Sequence, residues 1–253
     1  MEPIEGKFRN KKIVLSIGAD SELALKLLDK FKIKENIKYT KHTKVARKEL
    51  IPLMHNLNFN EEINKYISEA KKILKIKDLN ITFVIDNNLI IPGNGVGGNL
   101  IEPTIISIGY DENFKNKEIL FRNLRAAIFH EVFHAAQGWS DNNSKVIPKD
   151  LIEDAILEGA ATVFEREFGG TIPAWGLYEN NDTMLNWLNE IKQLNVEGNL
   201  IDYKFSEVNG NKWMLYKLGT WIVDNVLDNN KNLNIVDLAR IKPNVIFSLA
   251  NIQ

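Results

Sequence analysis

Two histidines four residues apart, with a glutamate directly after the first, stand in "FHEVFHAAQG", residues 129–138. On a helix His130 and His134 are about 40° apart around the axis and about 6 Å apart along it, so both rings can meet one ion. Glu131 falls beside the pair, where it can reach a water on the ion instead of binding the ion itself. The pattern is therefore that of a metal site with a built-in base. Its bland alternative is a pair of core histidines hydrogen-bonded to their neighbours.

The surrounding residues favour the metal. Leu120, Phe121, Leu124, Ala127, Ile128, Val132, Phe133 and Ala135 make the segment apolar nearly all round, as in a buried helix. Two histidines and a glutamate are costly there without strong partners, and a metal is one. The chain has no cysteine, which excludes thiolate zinc sites, cysteine nucleophiles and disulfide scaffolds together. Any ion must be held by His, Asp or Glu. Polypeptide deformylase, which pairs histidines on a helix but needs a cysteine ligand, is excluded on the same ground.

A catalytic zinc usually takes three protein ligands and keeps one open position. The metzincin extension fails, because Gln137 and Ser140 stand where its glycine and third histidine would be. No histidine follows His134, and His42 and His55 lie far upstream. A downstream carboxylate remains, and "LIEDAILEGAATVFEREFGG" offers Glu153, Asp154, Glu158, Glu165 and Glu167. Glu158 is preferred because Gly159, Ala160 and Ala161 follow it, small enough to let its helix approach the histidine helix closely. The alternative for Glu158 is an exposed helical glutamate.

His130, Glu131 and His134, followed by Glu158 in "EGAA", resemble the gluzincin metallopeptidases, which combine H-E-x-x-H with a glutamate from the next helix. More narrowly, residues 81–225 resemble the YjaZ-type predicted zinc-dependent proteases, sharing a strand pair with a glycine-rich turn, the two motif helices and a later "YKLGTWIV" helix. The resemblance implies an α+β, zincin-like fold, mostly helical, with a small sheet above the active-site helix. It also implies one Zn²⁺ ion and peptide-bond hydrolysis of a peptide or protein substrate. Two departures stand out. The aspartate that thermolysin-like gluzincins carry four residues after the ligand glutamate is Thr162 here, so support must come from Thr162, Asp154 or another residue. Their transition-state histidine has no counterpart, and a tyrosine could replace it, with Tyr216 first and Tyr178 or Tyr203 behind it. The rival function is a catalytically idle scaffold that binds a partner; a metal-free helical binding protein is a third.

The elements that must position these residues follow from periodicity. Helices are expected from Asp20 or Ser21 through Phe31, over 43–55, and over 60–76 with Ile63, Ile67, Ala70 and Leu74 on one side. A short strand is expected at 12–17, and strands at 81–86, 104–110 and over "LII" at 89–91. Helices should then run over 117–137, closed by Gly138, and over 150–168, 184–194, 213–227 and 235–239, with Pro243 breaking or starting the last segment. Substrate would pair with the strand around Ile105–Ile108 or with the glycine turn before it. "GNGVGG", 93–98, satisfies the dinucleotide fingerprint, but the strand-like residues after it deny the helix that would receive a pyrophosphate.

Composition bounds the rest. With 253 residues, 44% hydrophobic and 26% charged, a sizeable core is available; the resemblance implies a zincin-like region over 79–253, with a mainly helical region 1–78 expected to pack with it as one globular unit. A net charge of −1 gives no reason to expect nucleic acid or a membrane surface. The basic stretch Lys30–Lys48, with Glu35 and Glu49 beside it, reads as a solvated surface. "IVLSIGA" at 13–19 is too short to span a bilayer, so a cytoplasmic location is expected, with an exported mature chain as the alternative. Nothing in the sequence bears on oligomeric state.

Overall fold

The computed structural model describes residues 4–8, 11–15, 57–76, 82–85, 87–111, 113–142, 144–194, 200–205, 207–208 and 210–252. The helices expected before residue 56, the upstream histidines and the expected boundary at 78–79 lie outside the described residues. The described part is α+β and mostly helical. The chain divides into two compact units, Met1–Val132 with Ser140–Asn143, and Phe133–Trp139 with Ser144–Gln253.

The first unit carries a five-stranded sheet. Its strands are β1 (Ile4–Phe8), β2 (Lys11–Leu15), β3 (Thr82–Ile85), β4 (Val96–Glu102) and β5 (Ile105–Tyr110), in the order β1-β2-β3-β5-β4. β5 runs parallel to β3 and antiparallel to β4, and the bonds of both pairings occupy its backbone. This corrects the expectation that Ile105–Ile108 could receive a substrate, since an interior strand has no open edge. The edge belongs to β4, which contains Gly97 and Gly98. "LII" at 89–91 is not a strand either: Asn87–Leu89 forms a 3₁₀ turn, and residues 92–95 turn the chain into β4. Gly93 and Gly95 take positive φ of 82° and 70° there, so these glycines serve the turn.

Helix α1 (Leu57–Ile73) buries Ile63, Ile67 and Ala70, with Leu74 just beyond it, the side that the spacing predicts. Helix α2 (Lys117–Gln137) carries the histidines. Every residue from Ile128 to His134 is buried, which is why its pattern is apolar all round instead of striped. Arg125 pairs with Glu69 of α1 and lies 4.6 Å from the Phe129 ring. Gly138 ends α2 in a left-handed conformation (φ 79°), and Trp139 N–H returns to the His134 carbonyl at 3.1 Å.

The second unit, which begins within α2, is helical apart from the short β6–β7 pair. Helix α3 (Leu151–Phe164) starts at Asp150, whose side chain accepts from Glu153 N–H, and a π-helical turn at Glu165–Gly169 extends it. Helices α4 (Asn181–Ile191) and α5 (Leu200–Phe205) follow, then β6 (Glu207–Val208), β7 (Asn211–Lys212), α6 (Met214–Asn229), α7 (Ile235–Leu238) and α8 (Pro243–Ala250), the last opening on Pro243. Helices α3 and α6 cross at their backbones. A Cβ on Gly159 would fall 2.0 Å from the Gly219 carbonyl carbon, and one on Gly219 would fall 1.7 Å from the Ala155 oxygen. Gly159 thus serves the crossing with α6, where it meets Gly219.

Among the described residues, no helix is long and apolar enough to cross a membrane.

Candidate metal centre

His130, His134 and Glu158 each offer a ligand atom, and these atoms all lie within 4.8 Å of one another. All three side chains are buried, at 7%, 1% and 2% exposure. An exposed Glu158 is thereby excluded.

His134 shows the chemistry most clearly. Its Nδ1 lies 2.8 Å from Gln137 Oε1, and Gln137 Nε2 donates to the Leu157 carbonyl at 3.2 Å. The second bond orients the amide, so Oε1 faces the ring and Nδ1–H must be the donor. A neutral ring donating from Nδ1 carries its lone pair on Nε2. That nitrogen is 3.3 Å from Glu158 Oε2. That separation matches the edge of a zinc tetrahedron, about 3.3–3.6 Å for bonds of about 2.0–2.2 Å. The donor set of two imidazoles and one carboxylate, without thiolate, fits zinc.

Gln137 was legible only as a mismatch to another motif, although its position three residues after His134 places it on the same helix face. Replacing it with Leu should release the ring and lower zinc affinity by about 10–100-fold, read by competition with a chelator. Unchanged affinity would mean that the ring is held by its packing on Trp139, whose centroid is 4.5 Å away.

Glu131 is 6% exposed. It faces edge strand β4: a Cβ on Gly98 would lie 2.9 Å from Glu131 Cγ and 3.0 Å from Oε1. Glycine at 98 thus keeps the strand's backbone next to the carboxylate. On either side of Gly98 the outward carbonyls are occupied. Val96 O accepts from Ile91 N–H and the Asn94 side chain, while Leu100 O and Ile101 O accept from Asp141 and Asn142 N–H.

The second unit adds a cation that no local sequence pattern announces. Lys204, on α5 and 5% exposed, places Nζ 2.6 Å from Glu158 Oε1. The same Nζ lies 3.5 Å from Asp154 Oδ1 and 3.4 Å from Oδ2, an ion pair in which Oδ2 receives no hydrogen bond. It also lies 4.8 Å from the Trp139 ring. Burial alone would lower the lysine's pKa, but the Glu158 and Asp154 carboxylates outweigh it and raise it above the ordinary value. Asp154 is pushed above the usual carboxylate range by burial, opposed by Lys204 and reinforced by Glu158.

The remaining candidates are placed elsewhere. Glu153 caps the start of α3 by accepting from Lys149 N–H, and Glu165 receives the Thr171 hydroxyl at 3.4 Å. Thr162 is fully buried and its hydroxyl has no hydrogen-bond partner, so it orients neither histidine. Tyr178 donates to Asp224, which Arg166 holds in a two-bond pair, and Tyr203 donates to Glu190. Tyr216 stands on α6 with its ring 6.3 Å from Phe205, the neighbour of Lys204.

No curated protein matches the chain. No solved structure matches it either. A family model described as "Predicted Zn-dependent protease (DUF2268)" matches residues 59–248, a span that includes both histidines, Glu131, Glu158 and Lys204. With three quarters of its length covered by that model and a buried His-His-Glu group at its centre, the chain belongs to this family of predicted zinc-dependent proteases.

Proposed function

We propose that the protein is a gluzincin-type zinc peptidase of the YjaZ-like kind, hydrolysing peptide bonds with one Zn²⁺ held by His130, His134 and Glu158. The observation that carries the reading is the buried cluster of candidate ligand atoms, with His134 Nε2 3.3 Å from Glu158 Oε2 and His130 completing the set. Zn²⁺ in that set supplies Lewis acidity toward a carbonyl oxygen and lowers the pKa of water from 15.7 toward about 7.

The chain's own residues do the rest. Glu131 accepts a proton as water attacks the scissile carbonyl carbon, and returns it to the amide nitrogen as the C–N bond breaks. The products are a carboxylate and an amine. Tyr216 donates its hydroxyl to the carbonyl oxygen as charge develops there. The N–H and C=O of Gly98 pair with an extended substrate, because β4 is the sheet edge and Gly98 adjoins Glu131.

Protein purified without added metal is expected to carry about one zinc per chain, and less than about a tenth of an equivalent would contradict the reading. Hydrolysis of an unfolded protein should be abolished by a chelator and restored by zinc.

A further inference from the structure

We infer that Lys204 is the positioning residue that makes Glu158 a one-oxygen ligand. The inference rests on the zinc reading above and concerns the same site. A glutamate carboxylate can bind a metal through one oxygen or both. Binding through both would use the coordination position that a hydrolytic site must keep open.

At Glu158 the two oxygens are assigned to different partners. Oε1 is taken by the Lys204 ammonium at 2.6 Å, and Oε2 points to His134 Nε2 at 3.3 Å. Lys204 is itself fixed from three directions: Glu158 on one side, Asp154 at 3.4 Å on another, and the Trp139 ring at 4.8 Å over the ammonium. Trp139 also packs on the His134 ring at 4.5 Å, so lysine, tryptophan, histidine and glutamate form one closed ring of contacts around the candidate ligand atoms. A charge-assisted bond of this length holds a carboxylate far better than a neutral donor does. Asp154 supplies the counter-charge that makes a buried ammonium tolerable there. The departure noted in the sequence, threonine where a histidine-orienting aspartate is expected, is met by different chemistry: Gln137 orients the histidine and Lys204 orients the glutamate.

The test compares zinc affinity and the visible spectrum of cobalt-substituted protein across Lys204→Met, Lys204→Arg and wild type. Lys204→Met should bind zinc about 10–100-fold more weakly. Its cobalt bands should weaken, as they do when a second carboxylate oxygen raises the coordination number. Lys204→Arg, which keeps the charge and the donors, should restore affinity to within about threefold of wild type. Wild-type affinity and an unchanged cobalt spectrum in folded Lys204→Met protein would overturn the inference and leave the zinc reading intact. If Lys204→Met does not fold, Lys204→Gln carries the same expectation, and wild-type zinc affinity in that variant overturns it. Failure of the wild-type protein to bind zinc at all would overturn both.

Discussion

Replacing Glu131 with Gln is expected to leave zinc bound and to slow hydrolysis of an unfolded protein by about 10²–10⁴-fold. The amide has almost the volume of the carboxylate, so the packing beside Gly98 survives; what is lost is the ability to take a proton. Glu131 is suited to the role because it is nearly enclosed, at 6% exposure, and lies between the histidine pair in sequence and the strand edge in space. Zinc content and initial rates measured on the same preparation separate three outcomes. Retained zinc with lost hydrolysis supports a base. Lost zinc would make Glu131 a ligand, and unchanged hydrolysis would remove it from the mechanism. The same variant also separates a peptidase from an idle scaffold, because a structural metal site has no use for a base at 131.

Removing the proposed glutamate ligand has the second large expected effect. Glu158→Ala should reduce zinc to below about a tenth of an equivalent and abolish hydrolysis, since it would delete one of the three proposed ligands and leave the Lys204 ammonium facing the site without its closest partner. Stability should follow the metal. With free zinc at about 100 times its Kd, binding stabilises the folded wild-type protein by about 2.7 kcal/mol, and a chelator removes that increment. Thermal denaturation of Glu158→Ala should therefore be insensitive to zinc and chelator alike. A zinc-dependent melting temperature in this variant would show that the metal is held elsewhere.

How much of this was readable in advance differs sharply by element. The histidine helix and its glycine stop follow from local signals: an i, i+4 spacing, an all-round apolar pattern and a residue that must adopt positive φ. The helices at 57–73, 151–164 and 214–229 are legible for the same reason, because periodicity is a short-range property. The order of the strands is not. "TIISIGY" reads as a strand, but only the pairing of β5 with both β3 and β4 shows that it is interior and that Gly97 and Gly98 lie on the edge. Likewise the small residues of "EGAA" suggest a close approach to the histidine helix, while the crossing of Gly159 with Gly219, about sixty residues further on, shows only in the packed structure.

The supporting residues divide in the same way. Gln137 could have been found from its spacing to His134. Lys204 could not: it sits in an ordinary "DYKF", 50 residues from Asp154, and only the packed structure brings its ammonium to Glu158. A charged residue is normally expected at the surface, so a sequence reading assigns it to solvent unless tertiary contacts are known.

The proposed chemistry depends above all on one zinc ion shared by His130, His134 and Glu158. Crystals of the zinc-loaded protein, measured on both sides of the zinc absorption edge, test it directly. A single anomalous peak is expected about 2.0–2.2 Å from Nε2 of His134, a ring nitrogen of His130 and one oxygen of Glu158, with the other Glu158 oxygen still on Lys204. A zinc peak on other residues, or no peak at this site in protein that carries a full equivalent of zinc, would contradict it.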